Sequence, residues 1–161
     1  MFHPATKEEI DFLTSETKRF ITIAEVAMGI NVGDIGYISL VRNSDYVGAV
    51  KIKMGEGSYD IGFSYNLTWF RFCPEIFAKQ VIPHEVAHFV AYYLFEDDSL
   101  KDARKHGPVW KMIMTVMGED PSPVAKIPLM TVLKKTFLVS KRRVQRIKAL
   151  HLWGYKHRMI V

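Results

Sequence analysis

The amino-acid sequence predicts an α+β fold: one compact domain followed by a small basic appendage. Three observations lead there. Apolar residues recur at helical spacing through the first thirty positions. The period then shortens to that of strands over residues 35–64. Helical spacing returns between Pro74 and Gly118, punctuated by prolines. The resulting order is α-β-β-β-α-α-β. A chain of 161 residues with 48% hydrophobic content can bury a single core.

The first helix is expected from Lys7 to about Gly29. Thr6 and Glu9 have the spacing of a capping box, and Ile10, Leu13, Phe20, Ile23 and Ala27 form an apolar stripe. Gly29, or Gly33 after Asn31, supplies the stop. Tyr37–Val41, Tyr46–Met54 and Tyr59–Ser64 read as short strands. Turn-forming runs at Arg42-Asn43-Ser44-Asp45 and Gly55-Glu56-Gly57-Ser58 separate them, so the expected sheet is a small antiparallel meander. Pro74 suits the first turn of a helix running to about Phe95, with Pro83 bending or breaking it directly before His84. A polar stretch at 96–101 follows. A last helix is expected from Gly107-Pro108 to Gly118, ahead of Pro121 and Pro123. Beyond them, Thr131–Leu133, Thr136–Val139 and patches of 143–161 favour strand.

Charge divides the chain. Residues 1–125 carry 12 Lys/Arg against 17 Asp/Glu, whereas residues 126–161 carry 10 Lys/Arg and no acid. The boundary therefore falls near 125, with a domain at 1–125 and a basic, β-rich tail at 126–161. A polyanionic partner is the functional reading of that tail, and a solvated basic face is the bland one. No apolar run is long enough to span a bilayer, and the N-terminus lacks the pattern of a secretory signal. The expectation is a cytoplasmic, intracellular protein with no membrane partner, associated with the nucleoid if the tail binds DNA. The single cysteine, Cys73, rules out an intrachain disulfide and any zinc site with two cysteine ligands.

The segment His84-Glu85-Val86-Ala87-His88 reads HExxH. Residues four apart on a helix lie one above the other, so both imidazoles can share a metal. Glu85 lies on the adjacent face, where it can take a proton from a water that the metal activates. Imidazole ligands and hydrolytic use make one catalytic Zn²⁺ the expected cofactor. Apolar flanks at Val86, Ala87, Phe89, Val90 and Ala91 suit a helix buried behind such a site. A third ligand is required. His106, just before a helix start, is the first choice, and an acid from Glu96, Asp97, Asp98 or Asp102 is the alternative. His3, His151 and His157 read as ordinary surface histidines.

These residues carry a family resemblance. The run VIPHEVAHFVAYYLF, followed by HGPVWKMIMTVMG, resembles the SprT-like zinc metalloprotease domain, which includes the Spartan proteases. The matching positions are Val81, Ile82, Pro83, His84, Glu85, His88, His106, Gly107 and Trp110, and the strand Ile61–Asn66 resembles the family's strand before its active-site helix. The likeness extends over about residues 46–121. It implies a zincin-like core built from the HExxH helix and the one after it. It also implies His84, His88 and His106 as zinc ligands, Glu85 as the catalytic base, and proteins bound or crosslinked to DNA as substrates. Bacterial members commonly end in a zinc ribbon with a basic segment. The run Lys141–Ile147 resembles that segment, but the ribbon's cysteines are missing, so the tail reads as a degenerate ribbon without structural zinc.

The expected activity is zinc-dependent endopeptidase cleavage of DNA-associated proteins. The alternative is a nucleic-acid-binding adaptor whose zinc site is structural or inactive. In the tail, Lys141, Arg142, Arg143, Arg146, Lys148, Lys156 and Arg158 are the candidate DNA contacts, because basic side chains bind phosphates without reading sequence. Phe137, Trp153 and Tyr155 could stack on bases if the DNA is single-stranded, or form the tail's own small core. Tyr59, Tyr92 and Tyr93 carry hydroxyls that could serve an oxyanion. Trp110 reads as a packing residue that anchors the helix after His106.

Overall fold

In a computed structural model of the chain, the described residues are 3–42, 46–55, 58–94 and 106–123. Helix α1 (Lys7–Met28) opens the fold. Its capping box is formed in both directions: the Thr6 hydroxyl accepts from the Glu9 amide at 3.2 Å, and Glu9 accepts from the Thr6 amide at 2.9 Å. Arg71 then grips the same carboxylate with Nε and a terminal nitrogen and also donates to the carbonyls of His3 and Pro4. Gly29 ends the helix in the left-handed region (φ 66°), where a residue without Cβ is unstrained.

The buried stripe of α1 is Leu13, Thr17, Phe20, Ile21 and Ala24. It is rotated from the predicted one, with Ile10 and Ala27 left exposed. The pattern misled because a polar residue lies on the core side. The Thr17 hydroxyl donates to the Leu13 carbonyl at 2.7 Å, so the buried Tyr65 hydroxyl, 2.9 Å away, must donate to Thr17.

The three strands are β1 (Tyr37–Val41), β2 (Gly48–Gly55) and β3 (Ser58–Asn66), in spatial order β1-β3-β2. The β2–β3 pair is antiparallel, but β1 runs parallel to β3. The expected antiparallel meander is therefore corrected to a mixed sheet with β3 in the middle. Val41 pairs with Asn66 and Gly48 with Tyr65, so the end of β1 and the start of β2 lie on opposite sides of the same end of β3. Asn66 holds the start of β2 there: its amide donates to Val47 O at 2.8 Å and its side chain to Tyr46 O at 3.3 Å.

After β3 comes a helix that hydrophobic spacing does not reveal, α2 (Leu67–Phe72). Asn66 caps it by accepting from the amides of Thr68 and Trp69. That Asn was the one available signal for the start. A short turn, α3 (Pro74–Ile76), leads into one π-helical turn at Phe77–Val81 and then into α4 (Ile82–Leu94). The Ile82 amide bonds to Phe77 O, five residues back. Pro83 explains the widening. It has no amide proton and its ring collides with the carbonyl four residues earlier in a regular helix, so a wider turn relieves the clash without breaking the rod.

Helix α5 (Pro108–Val116) completes the described fold, with Pro108 at its first position, Gly107 before it and Gly118 beyond its end at φ 78°. Helix α4 is central: α1, α5 and β2 all pack against it. Every residue from Ile82 to Ala91 is buried, as expected of a helix covered on all sides. Among the described residues, no helix is long and apolar enough to cross a membrane. The predicted strands and domain of the tail, 126–161, lie outside the described residues.

Candidate metal centre

His84 and His88 sit one turn apart on α4 and project from the same side. His106 arrives just before the N-terminus of α5. Their Nε2 atoms form a small triangle: His84 to His88 3.2 Å, His88 to His106 3.2 Å and His106 to His84 3.0 Å. His84 and His88 are buried, and His106 is half-buried.

Hydrogen bonding alone does not account for this triangle. A ring nitrogen carrying a proton donates and cannot accept, and one without a proton does the reverse. Donors and acceptors cannot alternate around an odd ring, so at least one edge always joins two like atoms. A shared cation satisfies all three lone pairs together. Four-coordinate nitrogen sites with bonds of about 2.0–2.1 Å have nitrogen–nitrogen edges of about 3.3–3.4 Å. The observed edges are only a few tenths of an ångström shorter, so the three side chains could hold a metal ion.

Trp110 forms the back of the cluster. Its buried ring lies 4.7 Å from the ring of His84, 5.7 Å from that of His88 and 4.6 Å from that of His106, and its Nε1 donates to the His84 carbonyl at 3.3 Å. One side chain from α5 thus packs on all three imidazoles and is tied to α4. Sequence reasoning identified Trp110 as an anchor but not its contact with every candidate ligand. A tryptophan four residues after His106 was the signal.

Glu85 follows His84 in the chain and is 1% exposed. Nearby, burial pushes the Tyr65 phenol far above its usual value, and the charge of Glu85 acts in the same direction. Helix α4 therefore presents both histidines and the carboxylate within one turn and a half, against an apolar backing of Val86, Ala87, Phe89, Val90 and Ala91.

The other candidates divide clearly. His3 is exposed at the N-terminus. Tyr92 is partly buried and packs against the core, and Tyr93 is 49% exposed. The side chain of Tyr59 lies outside the described residues, as do Glu96, Asp97, Asp98 and Asp102. So do His151, His157 and the seven basic residues of the tail, from Lys141 to Arg158. Among the described residues, His106 is the third member of the cluster.

The fold and site define a class: a mixed α+β domain with a three-histidine cluster, able to hold a metal ion, built on an HExxH helix. Comparison with known proteins sharpens this. Residues 29–130 match the SprT-like family, and the chain belongs to that family. It is 35% identical over 73 residues to Protein SprT of Vibrio parahaemolyticus, covering 45% of this chain and 41% of that protein. It is 31% identical over 104 residues to Protein SprT of Actinobacillus succinogenes, covering 56% and 58% respectively. Protein SprT of Pseudomonas putida strain GB-1 is 40% identical over 57 residues, covering 35% and 32%. The chain thus matches between about a third and somewhat over half of the length of these curated relatives. No solved structure matches it.

Proposed function

We propose that this chain is a zinc-dependent endopeptidase acting on proteins associated with or crosslinked to DNA. The convergence of three imidazole Nε2 atoms beside a buried glutamate carries the reading. His84, His88 and His106 would hold the zinc. Three imidazoles with a remaining coordination position are the donor set of a catalytic rather than a structural site. When bound, zinc supplies Lewis acidity, which eases deprotonation of water and polarises a carbonyl.

Glu85 does the proton work. Its carboxylate takes a proton from the attacking water as the water oxygen bonds to the scissile carbonyl carbon. It then returns that proton to the amide nitrogen as the carbon–nitrogen bond breaks. Trp110 keeps the three imidazoles in register and fills the space behind them. A purely structural site has no use for a carboxylate at position 85, which favours the protease over the adaptor reading.

The DNA component rests on the tail, whose 10 basic residues stand without one acid over 126–161. Lys141, Arg142, Arg143, Arg146, Lys148, Lys156 and Arg158 would bind phosphates and bring the domain to its protein substrate.

The test is metal analysis of the purified chain, followed by cleavage of a DNA-binding protein with and without single-stranded DNA. One zinc per chain, lost in His84→Ala, and cleavage stimulated by DNA are expected. A chain that stays metal-free when Zn²⁺ is supplied would refute the reading. Cleavage indifferent to DNA would leave a protease without the nucleic-acid role.

A further inference from the structure

Gly48 opens strand β2 and is paired with Tyr65 across the ladder. Its backbone is not in the left-handed region, so conformation does not require glycine there. A glycine within a strand weakens it and often marks a close approach by another group. The group here is identifiable. A Cβ at position 48 would stand 2.8 Å from Glu85 Cγ, 2.9 Å from Glu85 Oε1 and 2.9 Å from Val81 Cγ1. Ordinary contact between carbon atoms is about 3.5–4.0 Å.

The surroundings offer Glu85 little room to yield. Tyr65, the cross-strand partner of Gly48, is fully buried and stacked beside Phe63, with its hydroxyl committed to Thr17. Val81, on the π turn before the motif helix, is 2% exposed, and Val50, two residues on along β2, is 1% exposed. The missing side chain of Gly48 is therefore the space into which the Glu85 side chain folds.

We propose that Gly48 is a positioning residue: its bare backbone seats Glu85 and so sets where the carboxylate lies relative to the three histidines. The inference deepens the protease reading and rests on it for its consequence in catalysis. The contact itself does not depend on that reading. Any side chain at position 48 displaces Glu85, while His84, His88 and His106, none of which is among the atoms nearest that Cβ, would still hold a metal.

Gly48→Ala is the test, since it adds one carbon. Metal binding is followed with Co²⁺, whose visible spectrum reports its coordination. The expected result is one Co²⁺ per chain with the parent's spectrum, kcat reduced about a hundredfold, as an ångström of displacement produces, and KM little changed. Parental kcat in Gly48→Ala would overturn the proposal.

A second measurement is independent of activity. Thermal unfolding of Gly48→Ala is compared in the parent, Glu85→Ala and Val81→Ala backgrounds. The midpoint should fall by about 5 °C in the parent, and Glu85→Ala should remove most of that fall. An undiminished loss in Glu85→Ala, or relief only by Val81→Ala, would show that Gly48 makes room for Val81 alone and overturn the proposal. If Gly48→Ala does not fold, recovery by Glu85→Ala supports the seat, and no recovery overturns it. A zinc-loaded parent without peptidase activity would refute the proposed function, while the unfolding comparison would still decide whether Gly48 seats Glu85.

Discussion

The Trp110 indole donates to the backbone carbonyl of His84, so the residue behind the histidine cluster also latches the helix after His106 to the motif helix. His84 and His106 are separated by 22 positions in the chain, and this one side chain bonds to the first segment and packs on both imidazoles. Losing that tie should loosen His106 more than His84 and His88, which share a helix.

Trp110→Phe keeps much of the ring packing and removes the donor. We expect a loss of about 1 kcal/mol in unfolding free energy and a several-fold weaker metal affinity, read by chelator competition. Trp110→Ala should cost about 3–5 kcal/mol and lower the affinity further. Parental metal affinity in both variants would show that the three imidazoles hold their places without the indole.

Glu85→Gln separates metal binding from catalysis. The amide has nearly the shape of the carboxylate but cannot take a proton from water. Zinc content should stay at the parental value, and kcat should fall by about 10²–10⁴. Cleavage by Glu85→Gln at the parental rate would remove Glu85 from the chemistry.

Glu9 should contribute to acid sensitivity. The hydrogen bonds from Arg71 hold its carboxyl below the usual carboxylate range; partial burial works against this, and the Thr6 amide and the Arg71 charge add to the lowering. A folded-state pKa below the unfolded one means that the stabilisation is complete above the unfolded value, near 4.5. It is lost as pH falls through the folded value. Glu9→Gln should therefore lower the unfolding midpoint at pH 7 and converge with the parent as the pH falls through the lowered folded-state value. Parallel curves over that range would show that the ion pair contributes nothing. The pair is partly solvent-exposed, so the effect should shrink in high salt.

Neutralising Arg142, Arg143 and Arg146 should weaken DNA binding about equally for all sequences. It should also reduce the slope of log affinity against log salt by about 0.7–0.9 per lost phosphate contact. An unchanged slope would exclude these three side chains from the interface. Peptidase activity on a substrate not bound to DNA should not change.

Local features of the fold were legible where the cause is local. Thr6 and Glu9 lie three residues apart and cap the helix that their spacing predicts. Gly107-Pro108 begins a helix because Pro108 needs no amide partner there. His84 and His88 share a face because four residues make about one turn. The strands at Tyr37–Val41 and around Gly48–Gly55 and Ser58–Asn66 were visible in their composition, but their order was not. Nothing near Val41 says that β3 will insert between β1 and β2, because that depends on pairing with residues some 25 positions on and on Asn66 bonding to Tyr46 and Val47. Thr17 was not part of the apolar stripe that the spacing predicts. Its burial depends on Tyr65, 48 residues away.

By itself, the sequence determined which side chains are the candidates for chemistry: two histidines and a glutamate on one helix, a further histidine before another, and a tail rich in positive charge. Only the tertiary structure decided that His106 joins His84 and His88, that one indole backs all three, and that a glycine on β2 leaves room for Glu85. The physical reason is range. Helical periodicity and capping act over three or four residues, whereas a metal cluster and a steric vacancy are made by segments that meet only when the core is packed.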